Sequence, residues 1–258
     1  MPFLSQGWPH RTPPNGLFAL NRASPQMRGL ASWWPSNGQP NGAGVVMDRA
    51  GSNHGTRSGS VTTLPLGEFG TVLDFPGGGS DYITLANQDF DQITVTAWIW
   101  SSSSNEAGFN HIISRHPDWF LSHGGGSGIR FNINGIAEAY AASGYTGVSN
   151  QWCHLAATYD KVNITGYLNG IQTGSPTAYS NPIGSSGTQR MGAYGGGGFN
   201  WVGRMADVRI YNRALTAAEI WQIYAPQTRW QLYQPWPLPM TSIVPASRAY
   251  YLPLLGAG

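Results

Sequence analysis

Cleavage of a glycosidic bond needs two carboxylates roughly 5–10 Å apart across the scissile linkage. The 258-residue chain holds four glutamates, Glu68, Glu106, Glu138 and Glu219, and no two are close in sequence. Glu219 already has another role. Thr216-Ala217-Ala218-Glu219 has the form of a helix capping box, and Leu215 and Ile220 are spaced as its hydrophobic staple. Nucleophilic catalysis is equally poorly served, because no Gly-x-Ser-x-Gly elbow occurs. Cys153 and His154 are adjacent. On a strand, neighbours point to opposite faces, so the two cannot form a dyad. Cys153 is expected in the core, and His154 is expected to hydrogen-bond within the fold. The run Gly195-Gly196-Gly197-Gly198 lacks the Gly-Lys-Ser/Thr of a phosphate loop. No His/Cys spacing supports zinc.

What remains is recognition chemistry. Trp119, Tyr145, Tyr194, Phe199 and Trp201 are candidates for stacking on sugar rings. The competing expectation is that each is an ordinary core or interface aromatic. The glycine runs at 124–126 and 195–198, with the loop from Ser101 to Asn110, could frame such a ligand surface.

The elements that would position these residues are short and extended. Ile93, Val95, Ala97 and Ile99 alternate with Thr94, Thr96, Trp98 and Trp100, the period of a strand covered on both faces. Further strand signals recur at 72–75, 82–85, 112–114, 119–121, 129–133, 152–159 and 205–211, separated by Gly, Asn and Ser. Asn169-Gly170 between two extended runs predicts a tight hairpin. Many short strands and one helix, stopped by Pro226, imply an all-β antiparallel sandwich with one short C-terminal helix and irregular terminal extensions. The expected divisions are an arm at 1–28, a sandwich at 29–225 and a docking tail at 226–258. The tail is too rich in proline to be a helix or a central strand and too aromatic for a solvated tail, so it should lie against its own domain or a neighbouring subunit.

Charged residues make up 10% of the chain, against roughly 25% in an average protein. The net charge is +2, without a Lys/Arg cluster, which argues against nucleic-acid binding. No apolar run approaches the roughly 20 residues of a membrane span, so no membrane insertion is expected. The first residues lack the charged and apolar regions of a signal peptide. A single cysteine excludes an intramolecular disulfide. Asn163-Ile164-Thr165 fits a glycosylation sequon.

Several runs resemble laminin-G-like, concanavalin A-like jelly rolls: Asp48 to Gly55, Leu73-Asp74-Phe75 with Asp81-Tyr82-Ile83, Ile93 to Trp98, Trp152 to Ala156, Tyr167 to Gly170, and above all Asp207 to Thr216. The resemblance implies a calcium ion shared by Asp48 and Asp207, with Asn53 and loop carbonyls completing the shell. The alternative is that Asp48 caps a turn and Asp207 pairs with an arginine. Glucanases on this fold carry Glu-x-Asp-x-Glu on one strand, which is missing here. Leu20 to Pro25 and the Gly256-Ala257-Gly258 end are similar to jelly-roll proteins of tailed bacteriophages. That similarity implies a non-enzymatic virion protein (capsid decoration, head fibre or tail component), docked on other virion proteins through its termini, forming a homo-oligomer and with glycans as candidate ligands. A bacterial lectin or adhesin, extracellular or at the cell surface, is the alternative, and a glycoside hydrolase is less favoured.

Overall fold

The computed structural model describes residues 18–36, 44–66, 69–101, 109–124, 128–143, 150–196 and 198–235. The chain begins with β1 (Phe18–Leu20), a single 3-10 turn and β2 (Leu30–Trp34). It continues through β3 (Val45–Val46), β4 (Gly55–Ser58), β5 (Thr62–Leu66), β6 (Gly70–Phe75), β7 (Tyr82–Thr84), β8 (Ile93–Ser101) and β9 (Phe109–His116). Next come β10 (Trp119–Gly124), β11 (Gly128–Ile133), β12 (Ala137–Ser143), β13 (Trp152–Tyr159), β14 (Asn163–Leu168), β15 (Ile171–Ala178), β16 (Thr188–Met191) and β17 (Gly203–Tyr211). The helix α1 (Ala217–Tyr224) and β18 (Tyr233–Pro235) complete it.

The fold is the expected antiparallel sandwich. One sheet has the order β12-β11-β10-β9-β16-β7-β4-β3. The other has the order β15-β14-β13-β8-β17-β6-β5, with β2 added against β17. Between them lies the main core, which takes Ile93, Val95, Ala97 and Ile99 from β8 and Cys153, Leu155 and Ala157 from β13. The alternation in β8 therefore falls as its pattern predicts, with Trp98 on the opposite face. The Asn169-Gly170 turn has φ of 50° and 79°, and it joins Leu168 to its partner Ile171 as a two-residue hairpin.

The outer face of the second sheet is sealed twice. The capping box forms as expected, with the Thr216 hydroxyl accepting from the Glu219 amide and the Glu219 carboxylate accepting from Thr216. It orients α1 so that Leu215, Ile220 and Ile223 cover Ala156, Tyr167 and Tyr211. Beside it, β1 pairs with β18, and Phe18, Trp230, Leu232 and Tyr233 pack on Trp33, Phe69, Val72 and Trp98. Residues 18–28 and 226–235, from the arm and tail regions of the sequence, thus lie against the sandwich.

Strand β17 changes neighbours along its length. Gly203 to Met205 pair with β6, and Val208 to Tyr211 pair with β2. Between them Asp207 has φ of 50°, and the register with β8 shifts between Ala206 and Arg209. The bulge resets the alternation. Met205, Val208 and Ile210 all enter the core, while Arg209 turns outward.

Candidate ligand-binding face

In β10, Trp119 and Leu121 enter the inter-sheet core, so Phe120 and Ser122 face outward. Neighbouring strands extend this outer face. A bulge in β9, opposite Leu121/Ser122, sends both Ile112 and Ile113 into the core. His111 is consequently paired with Ser122 and lies on the same face as Phe120 and His116. The rings form one cluster. His111 stacks on Phe120 at 4.6 Å between centroids, and His116 stacks on Phe120 at 5.7 Å. Tyr194 lies 4.0 Å from His116, and Phe199 is 6.1 Å from His111 and edge-on to Tyr194 at 6.0 Å. The Arg130 guanidinium lies 5.2 Å above the Phe120 ring.

Backbone contacts hold the rim in place. The amide of His111 donates to the Phe199 carbonyl (2.9 Å), and the amide of Tyr194 donates to Gly198 (3.1 Å). The glycines allow this close folding. A Cβ on Gly195 would lie 2.7 Å from the Thr188 carbonyl, and one on Gly196 would lie 2.4 Å from the Tyr194 ring. The result is a graded surface, with His111 and Phe120 buried, His116 and Tyr194 half-buried, and Phe199 53% exposed. Burial, reinforced by the charges of His116 and Arg130, lowers the His111 pKa to about 3. Burial also lowers that of His116, against the pull of Asp118. The cluster therefore presents neutral, flat faces at ordinary pH, suited to stacking rather than to proton transfer.

Of the five aromatics singled out in the sequence, Tyr194 and Phe199 belong to this surface. Trp119 and Trp201 do not, because both are fully buried between the sheets and cannot reach a ligand. Tyr145 lies outside the described residues. His111, His116, Phe120 and Arg130 gave no signal in the sequence, since they converge only through the pairing of β9, β10 and β11. The expected His154 hydrogen bond is also corrected. Neither ring nitrogen has a partner, and the imidazole is packed against Trp98 and Tyr224 instead.

Asp48, Asn53 and Asp207 do come close to one another, through Trp33. The Trp33 amide donates to Asp48 Oδ1 (2.8 Å), and its indole Nε1 donates to Asp207 Oδ1 (2.6 Å). The oxygens are nevertheless already engaged. Asp48 Oδ1 also accepts from the amides of Ala50 and Gly51, and Oδ2 accepts from that of Asn53. Both Asp207 oxygens accept from Arg209 (3.0 and 2.7 Å), and Asn53 Oδ1 accepts from the Ala86 amide. Calcium needs six to eight free oxygen ligands. These residues as arranged do not fit it, and among the described residues no group of three or more His, Cys, Asp or Glu is placed to hold a metal ion. The turn cap and the arginine pair are the arrangement present. Glu219 is likewise held by Arg213 through both oxygens, which with its backbone contacts lowers its pKa to about 2.

A family model described as the concanavalin A-like lectin/glucanases superfamily matches residues 77–221, more than half of the sequence. The chain belongs to that superfamily. Among solved structures, this lectin-like domain resembles domain 4 of a GH43 extracellular arabinanase from Geobacillus stearothermophilus, in complex with arabinotriose. The TM-score is 0.57 at 17% identity, over 76% of this chain and 98% of that one. It also resembles the binding domain of Paraclostridial mosquitocidal protein 1 (TM-score 0.61, 15% identity, 77% and 52% coverage). A third is the receptor-binding domain of botulinum neurotoxin C/D mosaic serotype (0.59, 15%, 77% and 51%). The chain thus spans nearly all of the arabinanase domain and about half of each toxin domain. At these identities the likeness is one of fold. No curated protein sequence matches.

Proposed function

We propose that this lectin-like domain is a non-enzymatic glycan-recognition module, with the outer face of β9, β10 and β11 as its ligand surface. The observation that carries the reading is Phe199, a large apolar ring 53% exposed beside Tyr194 and His111 and held by backbone hydrogen bonds on both sides. An exposed aromatic fixed in this way keeps its face free for a sugar ring at little entropic cost. The arabinotriose held by the similar arabinanase domain supports a saccharide ligand. Affinity electrophoresis through arabinan, and a glycan array, test it. Phe199→Ala should weaken binding about tenfold while changing stability by less than about 0.5 kcal/mol, as for a surface substitution. Binding unaltered by that variant, or release of reducing ends from any polysaccharide, overturns the reading.

We further propose that the module is carried on a virion, as a capsid or tail component that assembles as a homo-oligomer. The low charge and the phage-like terminal runs support this. Deleting 236–258 leaves every contact described above in place. The shortened protein should stay folded yet fail to attach to particles, and normal incorporation refutes the assignment.

A further inference from the structure

Beyond the aromatic rim, the same outer face continues across β16, β7 and β4, and its chemistry changes there. The register runs Phe120, Ser114, Arg190, Thr84 and Thr56 straight across five strands. Phe120 and Ser114 are buried, Arg190 is half-buried, and both threonines are exposed. Arg190 is the one cation in that row. Its guanidinium lies 4.2 Å above the Tyr82 ring, and its Nη1 donates to the Tyr194 carbonyl (3.3 Å). Both contacts fix its plane beside the rim. Neither neutralises it.

Among the described residues no carboxylate pairs with Arg190. Asp81, adjacent to Tyr82 in sequence, is turned into the backbone and accepts from the amides of Ser60 and Gly78. The Arg190 Nε is buried without a hydrogen-bond partner. That nitrogen is out of a ligand's reach, but the Nη1 bond to Tyr194 is the one hydrogen bond the Arg190 side chain makes among the described residues. Its two terminal nitrogens therefore keep unused donors, in the planar fork that matches a carboxylate.

Resting on the glycan-recognition reading, we infer that the ligand is an acidic saccharide, whose uronate carboxylate is received by Arg190 while a neighbouring ring stacks on Tyr194 and Phe199. A neutral glycan would leave a positioned cation unpaired. A uronate would give it a charge-assisted, fork-shaped partner at a fixed distance from the stacking rim. The exposed hydroxyls of Thr84 and Thr56 lie on the far side of Arg190, where further sugar hydroxyls would pass.

The test is affinity electrophoresis of the whole chain through polygalacturonate, alginate and hyaluronan, each beside its methyl-esterified form, with arabinan, dextran and dextran sulfate as references. The inference expects at least one uronate to retard the protein about tenfold more strongly than its ester, the scale of a charge-assisted hydrogen bond. Arg190→Gln should erase that difference while leaving retardation by the ester unchanged. Arg190→Lys should restore only part of it, because the charge is kept and the fork is lost. Phe199→Ala should weaken acid and ester forms alike. Retention by arabinan with none by any uronate overturns the acidic assignment and leaves glycan recognition standing. Retention by dextran sulfate but by no uronate overturns the carboxylate in favour of sulfate. A uronate preference that survives Arg190→Gln overturns the role of Arg190, and no retention by any glycan overturns both readings.

Discussion

The two outer faces of the sandwich are built from similar side chains and put to opposite use. Both carry large aromatics, an arginine over a ring and a buried histidine. On the second sheet Trp33 and Trp98 are covered by α1, β1, β18 and Trp230, and Arg209 is fully buried among Asp207, Gln26 and the Arg229 carbonyl. On the first sheet the described cover is the short rim at Tyr194 to Phe199, and among the described residues no carboxylate pairs with Arg190. Aromatic content does not separate a core from a ligand surface. What separates them is whether the chain supplies its own cover, and whether each charge already has its opposite.

The sealed face should fail first and furthest. Truncation before Pro226 removes Trp230, Leu232 and Tyr233, at about 1.5–3 kcal/mol for each buried side chain. The loss of about 5–9 kcal/mol is comparable to the whole stability of a domain, so the truncated chain should not show a cooperative unfolding transition. If it unfolds like the intact protein in urea, residues 226–235 are not part of the fold. Next in size is Arg209→Met, which leaves Asp207 charged and buried beside Trp33 alone. Breaking a buried pair in this way costs about 3–5 kcal/mol. Arg190→Gln on the other face should cost less, about 1–2 kcal/mol, for the lost contact with Tyr82 and the hydrogen bond to Tyr194. Equal losses in chemical denaturation would erase the distinction between the faces.

Acid distinguishes the two faces more finely. His154, fully enclosed, has its pKa lowered to about 3 by burial and then by the charges of Arg209 and Arg229. Its folded value lies below the unfolded one near 6.5. The neutral ring therefore contributes full stability above about pH 6.5, and that contribution is lost as the pH falls toward 3. Over the span from pH 7 to pH 4 this is about 3 kcal/mol for a fully buried group. His154→Phe should remove that part of the acid dependence, read from urea midpoints at the two pH values. His111 has its pKa lowered to about 3 in the same way on the ligand face. His111→Phe, which keeps a flat ring against Phe120 and Phe199, should flatten the same limb and leave glycan binding in place, whereas His111→Ala should weaken binding by loosening the rim and His154→Phe should not touch it.

What the sequence made legible follows a physical line. Local signals held, because the capping box, the Asn169-Gly170 turn and the alternation in β8 are decided within a few residues. Choosing the outward aromatics failed where both faces of a strand are apolar. Trp119-Phe120-Leu121 offers large rings to either side, and only the partner strands decide that Trp119 goes in and Phe120 out. Two bulges compound the difficulty. Strict alternation would put Asp207 and Arg209 on the face of Met205, yet the residue at φ of 50° turns Arg209 away from the core. The bulge in β9 likewise brings His111 to the ligand face. The Asp48 and Asp207 positions were found, but which donors reach their oxygens depends on the fold of the loop and not on residue type.

That last point gives the smallest expected effect. A calcium ion at Asp48 would have to displace four amide donors, from Trp33, Ala50, Gly51 and Asn53. Each donor left unpaired in a buried setting costs about 1–3 kcal/mol. At Asp207 the ion would have to displace Arg209, whose buried charge would then lose its partner. A site occupied at a hundredfold excess over its Kd would add about 2.7 kcal/mol, which in a protein of this size raises Tm by about 5–10 °C. The melting curve in millimolar calcium should instead overlay the curve in chelator. A rise of that size, abolished by Asp48→Asn, would show that the loop between Trp33 and Asn53 reorganises around an ion, and that the sealed face holds a binding site after all.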